Sequence, residues 1–256
     1  MPFGEFLRQR VLAVQEYSLM SWAAITNIGR RPFYMTDLYT QADLIGVGSL
    51  PIVILTGFFT GGVLALQSAT TLGQFGAKSV TGELVSLSMI KELGPVLTSL
   101  MVSGRNASGM ASELGSMQVT EQIDAMRALG TDPLKKLVTP RLISTVFMLL
   151  FLTILSDALG TIGGGLVATT MLGLDASQYF HMAYQFLMYP DILEGVVKPL
   201  IFGFIIASIG CYFGMSTRGG TQGVGRSTTQ AVVFSSIFII VTDFVISRLM
   251  IGVFGR

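Results

Sequence analysis

Long apolar runs dominate the chain, and the stretches between them contain most of its charged residues. A helix needs about 20 apolar residues to cross the hydrocarbon core of a bilayer, which is roughly 30 Å thick. Five runs approach this length, and ionisable residues interrupt four of them. The pattern predicts an all-α integral membrane protein with five spans, at residues 45–66, 84–102, 142–172, 196–215 and 231–253.

The segment before the first span has a different pattern, in which apolar and charged residues are interleaved over residues 5–30. This predicts a helix that either lies in the membrane interface or packs on the bundle as an ordinary amphipathic helix. We therefore divide the chain into an N-terminal interfacial segment, residues 1–40, and a transmembrane domain, residues 41–256.

Composition supports a lipid environment, because 51% of the residues are hydrophobic and only 12% are charged. Soluble domains carry about 25% charged residues. The net charge of +1 offers no basic surface for a nucleic acid. With a single cysteine, Cys211, and a single histidine, His181, we expect no disulfide framework, no metal site, no cofactor and no catalytic residue.

The basic residues predict the orientation of the chain. If the N-terminus is cytoplasmic, eleven of the sixteen lysines and arginines fall in inner segments. The positive-inside rule then places the N-terminus in the cytoplasm and the C-terminus outside.

Four ionisable residues inside the spans form the main candidate site: Lys91, Glu92, Lys198 and Asp243. At 1.5 Å per residue they lie at a similar depth, roughly 9 to 15 Å below the outer surface. They either form a structural ion-pair network or line a substrate cavity as a polar belt. If Lys198 and Asp243 pair, a double charge reversal should restore part of the activity lost in each single reversal. Asp157 in the third span either joins a polar interior or bonds a neighbouring helix, and we favour the bond to a helix.

Small residues recur at four-residue spacing in two spans, as Gly57 with Gly61 and Gly160 with Gly164. Such pairs let helix backbones approach closely. They predict either a contact between helices or a dimer seam.

The polar segment between the second and third spans predicts a short helix over residues 120–130. Thr120 is the expected N-cap, Glu121 and Asp124 suit the first turn, and Gly130 suits the C-terminal stop. This helix either rests on the membrane surface or receives a cytoplasmic partner.

Two further helix ends are predicted from capping and breaking residues. Asp132 caps a helix with Pro133 in its first position, and Pro140 ends that helix before the third span. Ser227 or Thr228 caps the last span.

The stretch GGTQGVGRST, residues 219–228, differs from a phosphate-binding loop by an arginine in place of the lysine. A phosphate-binding loop follows a buried strand and opens a helix of a nucleotide-binding domain. Here an apolar span precedes the stretch and another follows it. We interpret it as a glycine-rich inner turn with Arg218 and Arg226 as basic anchors, and we expect no nucleotide binding by this chain.

Residues 91–141, KELGPVLTSLMVSGRNASGMASELGSMQVTEQIDAMRALGTDPLKKLVTPR, resemble the signature of MlaE/YrbE-type permeases. These permeases are the membrane subunits of bacterial ABC lipid transporters. The stretches GGTQGVGRSTTQAVV and TDFVISRLM match family patterns as well. The resemblance extends over nearly the whole chain from about residue 40.

The resemblance implies a homodimer of five-span subunits in the bacterial inner membrane, with the C-terminus in the periplasm. Its partners would be two cytoplasmic ABC ATPases and a periplasmic ring of MCE-domain proteins. The complex would move phospholipid between the inner and outer membranes. The chain itself would be a transport subunit and not an enzyme, because ATP is hydrolysed by its partner.

The resemblance also implies roles for particular residues. The helix of residues 120–130 resembles the coupling helix that contacts the ATPase, and Lys91, Glu92, Lys198 and Asp243 match a charged cluster near the lipid pocket. The implied residues of the coupling helix are Thr120, Glu121, Asp124, Arg127 and Gly130. The implied apolar residues of the lipid pocket are Leu64, Leu66 and Leu93.

The hypothesis from sequence is that ATP-driven movement of the coupling helix opens and closes an apolar cavity between two subunits. Lys91 or Lys198 would then lie within reach of the headgroup phosphate. Three alternatives remain open. One is a permease for another hydrophobic substrate, such as a sterol or fatty acid. Another is a secondary transporter driven by protons through Asp157 and Asp243. The third is a scaffold for the ring of MCE-domain proteins that transports nothing itself.

Overall fold

In the computed structural model, residues 3–255 are described, apart from the side chains of residues 3, 4, 6, 7, 9 and 10. The described residues form helices and contain no strand. We number the helices α1 (Phe3–Thr26), α2 (Met35–Gln74), α3 (Lys78–Val119), α4 (Gln122–Ala128), α5 (Leu134–Thr170), α6 (Ala176–Gln185), α7 (Tyr189–Met215) and α8 (Gly220–Phe254).

Five of these helices, α2, α3, α5, α7 and α8, are long and apolar enough to cross a membrane. The prediction of an all-α membrane protein is therefore confirmed. The predicted spans lie within these helices, except that the third was predicted to end two residues beyond Thr170. The N-terminal segment contains α1, and its interfacial position stays a prediction.

The second span is much longer than its apolar run predicts, because α3 continues to Val119 through residues predicted to be a loop. Packing explains this extension. A Cβ atom on Gly210 of α7 would lie 3.1 Å from the backbone of Ala107, and one on Gly214 would lie 2.7 Å from Leu114. The polar part of α3 therefore packs closely against α7, and such tertiary contacts stabilise a helix beyond its intrinsic propensity.

The chain divides into two compact units. The first comprises residues up to 45, 103–145 and 204–237, and the second comprises residues 46–102, 146–203 and 238 onward. In the first unit, α1 packs on the bundle. The Tyr17 hydroxyl lies 2.8 Å from Oγ of Ser208, and Thr139 Oγ1 donates to the Ala24 carbonyl.

In the second unit, α2 and α5 cross at their glycines. A Cβ atom on Gly61 would overlap the backbone carbonyl of Gly160, and one on Gly57 would lie 2.8 Å from Ser156 Oγ. Of the two interpretations of these glycine pairs, the structure supports a contact between helices of the same chain.

The second unit also contains α6, which lies between the predicted third and fourth spans. Asp175 caps α6, since its Oδ2 accepts a hydrogen bond from the Gln178 amide at 2.9 Å. Tyr179 is buried against Gly82, Gly164 and Gly165, and burial raises the pKa of its hydroxyl. The exposed His181 lies on α6.

The start of α4 differs from the prediction. Thr120 does not cap it, because its hydroxyl donates to the Ser116 carbonyl at 2.8 Å and so closes the end of α3. Glu121 precedes α4 instead, in the left-handed conformation with φ of 59° and without a side-chain cap. The predicted stop at Gly130 is confirmed, since its φ is 76° and Thr131 N–H donates to the Met126 carbonyl at 2.9 Å.

Of the other predicted helix ends, only Asp132 is confirmed, because its Oδ1 accepts from the Leu134 amide at 2.9 Å. Pro140 does not end a helix, because α5 begins with the π-helical segment Leu134–Val138, whose altered hydrogen bonding accommodates the missing proline N–H. Ser227 and Thr228 lie inside α8, whose start follows the left-handed Gly219. The GGTQGVGRST stretch thus forms mainly the first turns of α8.

The glycine contact between α2 and α5 generates a stability prediction. Replacing Gly61 with valine should destabilise the protein by about 3 kcal/mol or more, because the new side chain meets backbone and cannot be accommodated by a rotamer change. Thermal unfolding of the purified protein in detergent measures the effect.

The control is Gly252→Ala in α8, where an added Cβ meets nothing within 4 Å. This change should be neutral or stabilising by up to about 1 kcal/mol, because alanine is the better helix former. Equal unfolding temperatures for the Gly61 variant and the unmodified protein would contradict the close crossing.

Candidate functional site

Residues 91–95, KELGP, determine the local geometry of the candidate site. Lys91 and Glu92 lie in a π-helical segment of α3, Met89–Leu93, where the Gly94 amide bonds to the Met89 carbonyl. Pro95 has no amide hydrogen, so the Lys91 carbonyl lacks the partner that an α-helix would supply. The Lys198 ammonium of α7 donates to this carbonyl instead, at 2.7 Å.

Lys198 is the centre of the site, and its side chain is fully buried. Its Nζ atom lies 2.8 Å from Glu92 Oε2, 3.0 Å from Glu194 Oε1 and 2.9 Å from Asp243 Oδ1. An ammonium group has three N–H bonds. Since three carboxylates and one carbonyl surround it, Lys198 has no donor left for a ligand.

Lys91 occupies a more open position beside this centre. Its Nζ atom lies 3.1 Å from Asp191 Oδ1 and 3.7 Å from Glu194 Oε2, and its side chain is 27% exposed. We define the charged cluster as Lys91, Glu92, Asp191, Glu194, Lys198 and Asp243. All six residues belong to the second unit.

The structure thus brings together the four charged residues identified from the sequence. Asp191 and Glu194 were not predicted from the sequence, because both precede the predicted start of the fourth span. A signal was present, since Glu194 stands four residues before Lys198 and so shares its helix face. Ser247 was not predicted either, and its hydroxyl donates to Glu92 Oε1 at 3.0 Å.

One side of the charged cluster is open. The Glu92 side chain is 44% exposed, although its Oε2 atom contacts the buried ammonium. A charged group facing hydrocarbon is costly, and ionisable residues in membrane helices usually face a cavity or one another. The open side of Glu92 and Lys91 therefore requires a polar neighbour such as water or a lipid headgroup.

The predicted apolar residues divide between two environments. Leu64 and Leu93 pack against the buried side chains of Ala65, Val85 and Met89, so they meet in one small core. Leu66 is exposed. The structure therefore brings together two of the three leucines.

Asp157 does not make the predicted bond through its Oδ1 atom, which is buried and has no hydrogen-bond partner among the described residues. This oxygen lies against Gly94, where any Cβ atom would collide with it. Asp157 is absent from the ion pairs of the charged cluster.

The predicted coupling helix, α4, belongs to the first unit. Ile123 is fully buried and anchors the helix, whereas Asp124 and Arg127 form an exposed ion pair of 2.9 Å. Leu129 follows the helix and is 83% exposed.

Together these features define an all-α membrane protein with a charged site among its apolar helices. The family model described as "Permease MlaE" matches residues 38–249. The chain belongs to this MlaE permease family, so it is a transport subunit rather than an enzyme.

Three relatives illustrate the similarity. A "Probable ABC transporter permease protein" of Rickettsia bellii is 44% identical over 94% of this chain and 93% of its own. "Protein TRIGALACTOSYLDIACYLGLYCEROL 1, chloroplastic" of Arabidopsis thaliana is 38% identical over 90% of this chain and 65% of its own. The "Intermembrane phospholipid transport system permease protein MlaE" of Haemophilus influenzae is 34% identical over 84% and 83%.

The geometry of Lys198 generates the second prediction. Lys198→Met should destabilise the protein by about 3–5 kcal/mol, because three buried or half-buried carboxylates lose their shared counter-charge. The charge swap Lys198→Asp with Asp243→Lys should not restore stability, since the new aspartate would face Glu92 and Glu194. Thermal unfolding in detergent tests both variants.

The matched control is Arg127→Ala, which breaks the exposed ion pair of α4. That change should cost less than about 1 kcal/mol, as exposed pairs usually do. Recovery of stability in the charge-swapped protein would show that Lys198 and Asp243 act as an isolated pair.

Proposed function

We propose that this chain is the permease subunit of an ABC transporter that moves phospholipid between the inner and outer membranes of a bacterium. The observation that carries the proposal is the charged cluster, because it opens on one side although it lies within membrane-spanning helices. The names of the relatives support both the ABC class and the phospholipid substrate.

The second subunit of the proposed transporter is another copy of this chain. Support comes from α8, because only 11% of its apolar stretch is buried within the subunit. The corresponding share in α7 is 61%. A second copy that covered exposed apolar side chains would enclose a cavity beside the charged cluster. Such a cavity would provide the polar neighbour that Glu92 and Lys91 require.

Within this cavity, we assign different roles to the two lysines. Lys198 positions Glu92 and Asp243 and has no donor free for a phosphate. Lys91 lies at the open side and contacts the headgroup phosphate of the lipid. The acyl chains extend along apolar side chains that include Leu64, Leu66 and Leu93.

The energy for transport comes from cytoplasmic ABC ATPase subunits that contact α4. The exposed Leu129 supplies an apolar contact, while the buried Ile123 transmits force because it anchors α4 in the first unit. The left-handed Glu121 and Gly130 fix the turns at the two ends of α4. We therefore assign the contact with the ATPase to the whole predicted coupling segment, from Thr120 to Gly130.

The proposed location is the bacterial inner membrane, with the N-terminus cytoplasmic and the C-terminus periplasmic. The distribution of lysine and arginine supports this orientation. It places the charged cluster toward the periplasmic side, where a ring of MCE-domain proteins would receive or deliver the lipid.

The third prediction tests this function by lipid transfer. The permease is reconstituted into liposomes with its ATPase and MCE-domain partners, and transfer of fluorescent phospholipid to acceptor vesicles is followed. Transfer should require ATP and the ATPase. Lys91→Glu should reduce the rate by about tenfold or more, because losing one charge-assisted hydrogen bond costs about 1.5–3 kcal/mol and the new carboxylate adds repulsion.

The control is Lys78→Glu, which makes the same charge change in the second unit but outside the charged cluster. It should transfer lipid at the unmodified rate. Transfer without the ATPase would instead support a secondary transporter, and selective transfer of a sterol or fatty acid would support a different substrate. Undiminished transfer by the Lys91 variant would refute the role of this lysine.

A further inference from the structure

A second candidate site lies in the first unit and shares no residue with the charged cluster. A cavity of about 250 Å³ is lined by the segment that joins α1 to α2 and by the start of α5. Its basic lining residues are Arg30 and Lys135, and its apolar ones include Met35, Leu38 and Ile143. We propose that this cavity binds the headgroup of an anionic phospholipid from the adjacent membrane leaflet.

The charges around the cavity favour an anion. Arg31 follows Arg30 in the chain, and Lys136 follows Lys135, with its Nζ atom 5.8 Å from the centre of the Tyr34 ring. The described acidic contact is Asp132, whose two oxygens accept from Asn27 Nδ2 and the Leu134 amide. Arg30 and Lys135 line the cavity, and Arg31 and Lys136 are their neighbours in the chain, so the basic residues of these segments outnumber the acidic ones, Asp37 and Asp132.

Lys135 is held in place without losing its capacity for a ligand. Its ammonium donates to the Arg31 carbonyl, which ties the start of α5 to the segment before α2. Two of its three N–H bonds are left for other acceptors. An oxygen-rich phosphate that bridges Lys135 and Arg30 would add charge-assisted hydrogen bonds on both sides of the cavity.

The position of the cavity along α5 fits a membrane lipid. Ile143 lies at the start of the apolar run of α5, and Lys135 precedes it by eight residues, about 12 Å along a helix. The headgroup layer adds about 5–8 Å on each side of the hydrocarbon core. Ile143 therefore lies at the hydrocarbon border, and the backbone of Lys135 lies about 4–7 Å beyond the headgroup layer, a distance that the long lysine side chain can span.

The size of the cavity limits what it holds. Its volume is below the range of about 300–1,000 Å³ that is usual for whole small-molecule ligands. It therefore takes a headgroup and not a complete lipid. The acyl chains would extend out of the cavity past its exposed apolar lining residues Phe33 and Met35.

This inference rests on the membrane location and not on the proposed transport activity. Basic pockets beside membrane helices bind anionic headgroups through the same electrostatics that draw polybasic segments to anionic leaflets. In the proposed orientation the lipid would come from the cytoplasmic leaflet. Because the lining residues all belong to the first unit, the cavity is separate from the cargo site assigned to the charged cluster.

The test counts bound lipids on the purified full-length protein by native mass spectrometry. Phosphatidylglycerol and phosphatidylcholine with identical acyl chains are titrated in parallel. The unmodified protein should retain phosphatidylglycerol in preference. Arg30→Gln and Lys135→Gln should each reduce that preference about fivefold, the contribution expected of one basic residue near a membrane surface.

Two controls separate charge from folding. Lys135→Arg keeps the charge and a donor for the Arg31 carbonyl, so it should keep the preference. Arg218→Gln removes an exposed arginine of the same unit that does not line the cavity, and it should also keep the preference. Thermal unfolding without added lipid verifies that each variant is folded.

Three results would overturn the inference. The first is equal retention of the two lipids by the unmodified protein. The second is an unchanged preference for phosphatidylglycerol when Arg30→Gln and Lys135→Gln are combined. The third is a loss of preference in Arg218→Gln as large as that in the cavity variants. Displacement of the lipid by soluble glycerol phosphate at the same concentration would show a free-phosphate site instead. Each of these results is independent of lipid transfer, so failure here leaves the proposed function standing.

Discussion

A buried ammonium group in a membrane bundle can persist only if its charge and its N–H bonds are satisfied by protein groups. Lys198 meets this requirement with three carboxylates and a backbone carbonyl, all within 3.0 Å. These partners come from α3, α7 and α8, so one side chain constrains three helices. The constraint fixes the position of Glu92 and, through Glu194, that of Lys91.

The hydrogen bond from Lys198 to the Lys91 carbonyl follows from the local sequence around Lys91. In KELGP, the proline at position 95 removes a backbone donor, and the π-helical segment aims adjacent charged residues at different partners. Glycine at position 94 leaves room for Asp157, where a Cβ atom would collide with the Asp157 carboxylate. A five-residue motif therefore accounts for a carbonyl, two charges and one close helix contact.

Much of this arrangement could be predicted from the sequence. The apolar runs predicted five spans. The similar depth of the ionisable residues within these spans predicted that Lys198 could pair with Glu92 and Asp243. Asp191 and Glu194 were missed because they lie at the polar end of α7, which the hydropathy pattern does not identify as part of a span. Their charges are compensated by tertiary contacts that the sequence does not show. The same reason explains α3, whose polar half is helical because it packs on glycines of α7.

Local rules failed where tertiary structure or unusual helical geometry replaced them. Thr120 was a reasonable N-cap by residue type, yet its hydroxyl closes the preceding helix. Pro140 should have ended a helix, but the π-helical segment before it accommodates the missing donor. The residue types alone also did not indicate that all N–H donors of Lys198 are used, whereas Lys91 is partly exposed. That difference depends on how many acceptors surround each ammonium.

The central claim is that the open side of the charged cluster borders the transported lipid. Photo-crosslinking tests it most directly, with a photoreactive amino acid at position 93 and, as a control, at the exposed position 251 of α8. The account predicts that irradiation after detergent extraction gives a phospholipid adduct at position 93 that is lost in Lys91→Glu, while position 251 gives none. Equal adducts at the two positions, or an adduct at position 93 that is unchanged by Lys91→Glu, would contradict it.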